Sequence, residues 1–201
     1  MVTATEITTG EWRKRLPDGE HETLGWGWWA GTGGARIKEQ IGPKSLCEVT
    51  TESLEAMFDR GVEPGLDGAL GKPCEPGEVV GWDLDFVGGA GVYGASCPGF
   101  TKREVAQVVE RYVPIVAEDM IERAEEKVGL EVAGVHLCGP WPRPKGRLHT
   151  HILVWAKARA LGSDEPVNIT PAGMDRFVDE VQPFDGYLWD AVACGLDDEV
   201  S

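Results

Sequence analysis

The chain has 201 residues, 42% of them hydrophobic and eight of them tryptophan, enough to bury a core of its own. Acidic residues outnumber basic ones by 34 to 19, a net charge of −15, which argues against a generic basic nucleic-acid binder. No apolar run reaches membrane-spanning length, and the N-terminus lacks the apolar stretch of a signal peptide. Five scattered cysteines without a Cys-x-x-Cys pair point to reduced thiols in a cytoplasm.

In chain order, residues 1–50 carry Trp26, Trp28 and Trp29 among several glycines, which suggests short extended pieces and turns. Tryptophans in such a setting can stack on unpaired bases, but core and edge-strand packing is the reading favoured here. Residues 51–61 read as a short amphipathic helix with Gly61 as its C-cap. Residues 62–77 are rich in Pro and Gly and read as a linker or long loop. The expected division is an N-terminal extension of unclear structure over residues 1–75 and a catalytic domain over residues 76–201.

Residues 78–87 form the clearest early strand. Val80, Trp82, Leu84 and Phe86 alternate with Gly81, Asp83 and Asp85, giving one apolar and one polar face. Gly89, Gly91 and Gly94 make a formal G-x-G-x-x-G, but no helix opens at these glycines, so a plain loop is the better reading. Thr101 and Glu104 form a capping box, and Val105, Val108, Val109, Tyr112 and Val116 then recur at helical spacing as far as Val128. Pro114 is expected to kink or split this helix.

Residues 130–138 and 146–155 read as two strands joined by a turn-rich connector. Thr170-Pro171 opens a further helix with Met174, Phe177, Val178 and Val181 on its apolar face. A last short helix spans residues 187–194 before an acidic tail.

The chemistry concentrates in the second of those paired strands. His149 and His151 stand at i and i+2, so they share a face about 7 Å apart. Two neighbouring imidazoles make half of a divalent-metal site. If the hairpin closes symmetrically, His136 lands opposite His149 or His151 and completes the site. A chance pair of strand histidines is the alternative. Arg143, Lys145 and Arg147 cluster on the connector, where a phosphate would have to sit, although any exposed loop carries some charge.

The run Gly146-Arg147-Leu148-His149-Thr150-His151-Ile152-Leu153-Val154 resembles the metal-binding motif of the HUH endonucleases. These are the Rep-like rolling-circle replication initiators, relaxases and related transposases. The middle position is usually hydrophobic in that family and is Thr150 here. The order strand, long helix, strand, His-x-His strand, helix, tyrosine matches over roughly residues 75–195.

The resemblance implies an α+β domain: an antiparallel β-sheet with helices packed on one face and a divalent metal, Mn or Mg, on the other. It implies single-stranded DNA at a replication origin as substrate, with a separate helicase as possible partner and no membrane. Strand 78–87 occupies the place of the strand beside His-x-His, so Asp83 or Asp85 could reach the metal; solvated carboxylates are the alternative. Tyr187 lies where the family places its nucleophile, but Asp190 replaces the lysine of Tyr-x-x-Lys. The acidic balance fits a halophilic host, where salt screens the repulsion. Two other readings stand beside this one: an acidic non-enzymatic structural or interaction protein, a viral one included, and a metal-dependent phosphoesterase that uses water.

Overall fold

The structure, a computed structural model, describes residues 2–15, 23–24, 27–41, 49–66, 70, 74–87, 102–137 and 149–184. In chain order these residues form β1 (Val2–Thr8), a 3-10 turn (Glu11–Arg15), β2 (Thr23–Leu24), β3 (Gly27–Ala30) and α1 (Gly31–Ile41). Then come β4 (Val49–Thr50), α2 (Thr51–Leu54) running on into a π-helical turn (Glu55–Asp59), β5 (Val79–Val87) and α3 (Lys102–Val128). The series closes with β6 (Leu130–Glu131), β7 (Gly134–Leu137), β8 (His149–Trp155), β9 (Lys157–Ala160), β10 (Pro166–Asn168) and α4 (Pro171–Val181). No helix among the described residues is long and apolar enough to cross a membrane.

The main sheet has five strands in the order β1-β5-β8-β7-β3, and every neighbouring pair is antiparallel. The α+β antiparallel architecture is therefore as expected. The first 75 residues, expected as an extension, instead supply both edge strands, β1 and β3. Their strands are short or polar, and only pairing with β5 and β7 reveals them.

Alternation along each strand divides the sheet's side chains between two cores. On one face Val2, Trp82, Leu84, Phe86, Ile152 and Val154 pack under α3 and α4, which contribute Met120, Ile121, Met174 and Phe177. On the other, Leu153, Trp155, Val135, Leu137 and Ile7 pack under Trp12, Ile37, Leu54, Met57 and Phe58. The second face, expected to be free for the metal, is thus half covered by α1, α2 and the turn that follows. Gly81 marks where Phe58 lies on the strand: a Cβ there would sit 2.6 Å from the ring and 2.5 Å from the Val154 carbonyl.

Several local expectations hold for their stated reasons. Thr170 caps α4, its hydroxyl accepting from the Gly173 N–H at 3.1 Å, with Pro171 opening the helix. Gly61 follows the 51–59 helical segment at φ +67°, and its N–H bonds the Met57 carbonyl. Pro114 does not split α3, which runs as one helix from Lys102 to Val128. The strand expected over 130–138 is broken in two, because β6 leaves the main sheet to join β9 and β10 in a separate three-stranded sheet.

At that break sits Glu125, 1% exposed, which ties α3 to both α1 and the β6–β7 connector. Its carboxylate accepts from the Thr32 N–H at 3.1 Å, the Thr32 hydroxyl at 2.7 Å and the Val132 N–H at 2.5 Å. Burial outweighs these donors and pushes its pKa up from 4.5 to about 7. A carboxyl whose folded-state pKa is raised contributes stability below its unfolded pKa and loses it as pH rises through the folded value. The unfolding free energy of the wild type should therefore fall by roughly 2 kcal/mol more than that of Glu125→Gln between about pH 5 and pH 8. Urea denaturation across that range measures the difference, and parallel profiles would contradict it.

Candidate metal centre

The site lies where the second face of the sheet runs out of apolar cover. Along β8 this face passes from Trp155 and Leu153 in the core to His151 and then to position 149. Along β5 it passes from Gly81, under Phe58, to Asp83 and Asp85. The register sets Asp85 opposite His151 and Val87 opposite His149. Two histidine positions and two aspartates thus occupy one corner of one face, brought there by period-two alternation in two paired strands.

Within that corner the His151 Nδ1 and the Asp83 Oδ1 lie 2.8 Å apart. Asp83 is 2% exposed and the His151 side chain 19%. A carboxylate on Nδ1 favours that nitrogen as the donor, the arrangement in which Nε2 is the ligating atom of a metal-binding histidine. A buried carboxylate bonded to the imidazole is the usual outer support of a metal-binding histidine, so the donor chemistry fits a divalent ion. Among the described residues no three His, Cys, Asp or Glu side chains converge as a metal-holding group.

His136, expected to complete the site from across the hairpin, is turned away from it. The register pairs His136 with Ile152 and Leu137 with His151, so His136 shares the face of Ile152 and Thr150. There it is 1% exposed, and its Nε2 lies 2.5 Å from the Thr150 hydroxyl. Burial first, and then the neighbouring His151, push its pKa down to about 3, so it stays neutral. Thr150, the polar residue inside the motif, is thereby accounted for as the partner of a buried imidazole.

Arg143, Lys145, Arg147 and Tyr187 lie outside the described residues. The sequence reading overlooked β1, which lies beside β5 and brings Thr3 opposite Asp85 and Thr5 opposite Asp83. A Thr-rich segment at the extreme N-terminus gives no periodicity signal strong enough to place it there.

The five-stranded antiparallel sheet backed by α3 and α4 is a fold that this chain shares with solved structures of a relaxase. Among the solved structures that this chain resembles are those of the conjugative relaxase TrwC in complex with oriT DNA. The metal-free complex has a TM-score of 0.58 at 14% identity, covering 100% of this chain and 68% of the chain in that structure. The metal-bound complex has a TM-score of 0.58 at 14% identity and covers 100% and 69%. The complex with a 27-mer DNA comprising the recognition hairpin and the cleavage site gives 0.55 at 14% identity, covering 100% and 68%. No family model and no curated protein matches the chain.

The Asp83–His151 pair yields a direct expectation. Asp83→Ala frees the imidazole to rotate and change tautomer, and should weaken Mn²⁺ binding by about 10- to 100-fold. Asp83→Asn keeps an acceptor oxygen for Nδ1–H and should fall between that variant and the wild type. Isothermal titration calorimetry reads both, and unchanged affinity in the alanine variant would remove Asp83 from the site.

Proposed function

We propose that the chain is a metal-dependent enzyme that nicks and rejoins single-stranded DNA through a tyrosine, as in the initiation of rolling-circle replication. The observation that carries this reading is His151, held by buried Asp83 on the same sheet face as position 149, in a fold shared with a DNA-bound relaxase. His149 and His151 would hold the ion, Mn or Mg, with Asp85 beside them. When bound, such an ion polarises the scissile phosphate and stabilises charge on the transferring group.

The remaining chemistry belongs to the chain. The Tyr187 hydroxyl attacks the phosphorus, forming a Tyr–O–P bond and breaking the P–O3′ bond. The departing 3′ oxygen takes up a proton and leaves as a free 3′-OH, while the 5′ end stays on the tyrosine. Attack by a 3′-OH on that phosphotyrosine reverses the step and rejoins a strand. Arg143, Lys145 and Arg147 are assigned to the phosphates on either side, compensating locally for a net charge of −15. The substrate is single-stranded DNA at an origin, with strand separation left to a separate helicase. A halophilic host, whose salt screens the acidic surface, fits the composition.

Incubation with a 5′- and 3′-labelled single-stranded oligonucleotide and Mn²⁺, followed by denaturing electrophoresis, tests the reading. A covalent adduct that retains the 5′ end of the downstream fragment is the expected result. Cleavage without an adduct would assign water as nucleophile and make the protein a phosphoesterase. Neither product across a varied oligonucleotide pool would leave an acidic structural protein.

A further inference from the structure

The site face does not end at the aspartates; it continues onto the edge strand β1. Ile7 lies in the second core, which fixes the facing of its alternate neighbours Thr5 and Thr3 toward the side of the sheet that carries Asp83 and His151. The row across the sheet therefore reads Thr3, Asp85, His151, with Thr5 beside Asp83 one step further in. Burial falls off along it, from Asp83 at 2% exposed to half-buried Asp85 and exposed Thr3 and Thr5. Directly paired side chains across antiparallel strands stand about 5 Å apart, so the hydroxyls lie one strand spacing from the carboxylates.

We propose that Thr3 and Thr5 hold the sugar–phosphate backbone of the single strand where it crosses the edge of the sheet toward the metal corner. The inference rests on the nicking reading above and adds positioning residues to it. The carboxylates of Asp83 and Asp85 disfavour a phosphate directly over them, so the strand is best held by donors just outside them. On this side of β1 the side-chain donors among the described residues are the hydroxyls of Thr3 and Thr5. Threonine hydroxyls are regular phosphate partners, and an edge strand also turns alternate backbone N–H groups outward. The acidic residue of this strand, Glu6, pairs with Trp82 and belongs to the opposite face, away from the strand's path. A neutral track of this kind suits a protein that must bind DNA while carrying an acidic surface.

The test compares Thr3→Val/Thr5→Val with the wild type by fluorescence anisotropy of a fluorescein-labelled oligothymidylate, over a salt series. Valine keeps the shape and branching and removes only the hydroxyl. Kd should rise about tenfold, the size of one charge-assisted hydrogen bond lost. The slope of log Kd against log salt should not change, because a neutral hydroxyl displaces no counterion. Mn²⁺ affinity and thermal midpoint should match the wild type, and Thr3→Ser/Thr5→Ser should bind within about twofold of it. Wild-type affinity in the valine variant, or serine as weak as valine, would overturn the inference and leave the nicking reading intact. A wild type that binds no single-stranded DNA would overturn both.

Discussion

Replacing Tyr187 by phenylalanine is expected to abolish the covalent protein–DNA adduct, a loss of about 10³-fold or more, while Mn²⁺ binding and the thermal midpoint stay as in the wild type. The chain has three tyrosines, so the choice is small. Tyr112 lies in α3, whose residues Met120 and Ile121 pack on the sheet face opposite the metal corner. Tyr93 precedes the histidine strand in a Gly-rich segment. Tyr187 alone follows the histidines, just beyond α4 and the 3-10 turn Gln182–Phe184. A free tyrosine has a pKa near ~10, so its hydroxyl needs a bound ion or a cation nearby to become a useful nucleophile. Asp190 stands where a Tyr-x-x-Lys motif would carry its lysine, and our proposal assigns that cation to Arg143, Lys145 or Arg147. Denaturing electrophoresis with a labelled oligonucleotide reads the loss. An undiminished adduct in the phenylalanine variant, or mass spectrometry placing DNA on Tyr93 or Tyr112, would move the nucleophile elsewhere.

Glu63→Ala should be the most destabilising change outside the hydrophobic cores, at about 3–5 kcal/mol. Its side chain is 1% exposed and receives Arg36 Nε at 3.0 Å and Arg159 Nη2 at 2.8 Å. Arg36 comes from α1 and Arg159 from β9, so one carboxylate ties the N-terminal third to the strand that follows the histidines. Arg36 has a second partner in Glu131 at 2.8 Å. Among the described residues Arg159 then keeps the peptide oxygen of Asp164 and that residue's fully exposed carboxylate, and its buried Nε has no acceptor there. Removing Glu63 therefore strands a guanidinium whose side chain is only 10% exposed. Thermal unfolding should show a Tm lower by roughly 10 °C, and Glu63→Gln, which keeps one acceptor, should lie between. A loss below about 1 kcal/mol would show that water replaces the carboxylate at no cost.

What the sequence made legible follows from periodicity. Alternation in residues 78–87 and the His-x-His spacing placed Asp83, Asp85, His149 and His151 on the strands, and helical spacing with Thr170-Pro171 placed α3 and α4. What it hid depended on partners. β1 and β3 are edges whose strand character comes from β5 and β7. Helix α1 opens with Gly31, Gly33 and Gly34, poor helix formers. Gly33 is needed there because its N–H bonds the Val132 carbonyl at 2.9 Å and a Cβ would come within 2.7 Å of that oxygen. The error over His136 is one of register. Symmetric hairpin closure sets His136 opposite His149 or His151, whereas the register pairs it with Ile152, and a slip of one residue sends a side chain to the other face.

The central claim is that one corner of the sheet holds a divalent ion through His149 and His151, with Asp83 fixing the second imidazole. Titration of Mn²⁺ into the wild type and into His149→Ala/His151→Ala by calorimetry tests it most directly. The account predicts one ion per chain for the wild type and no measurable binding for the double variant, with both proteins folded to the same thermal midpoint. Equal binding by the two proteins would contradict it.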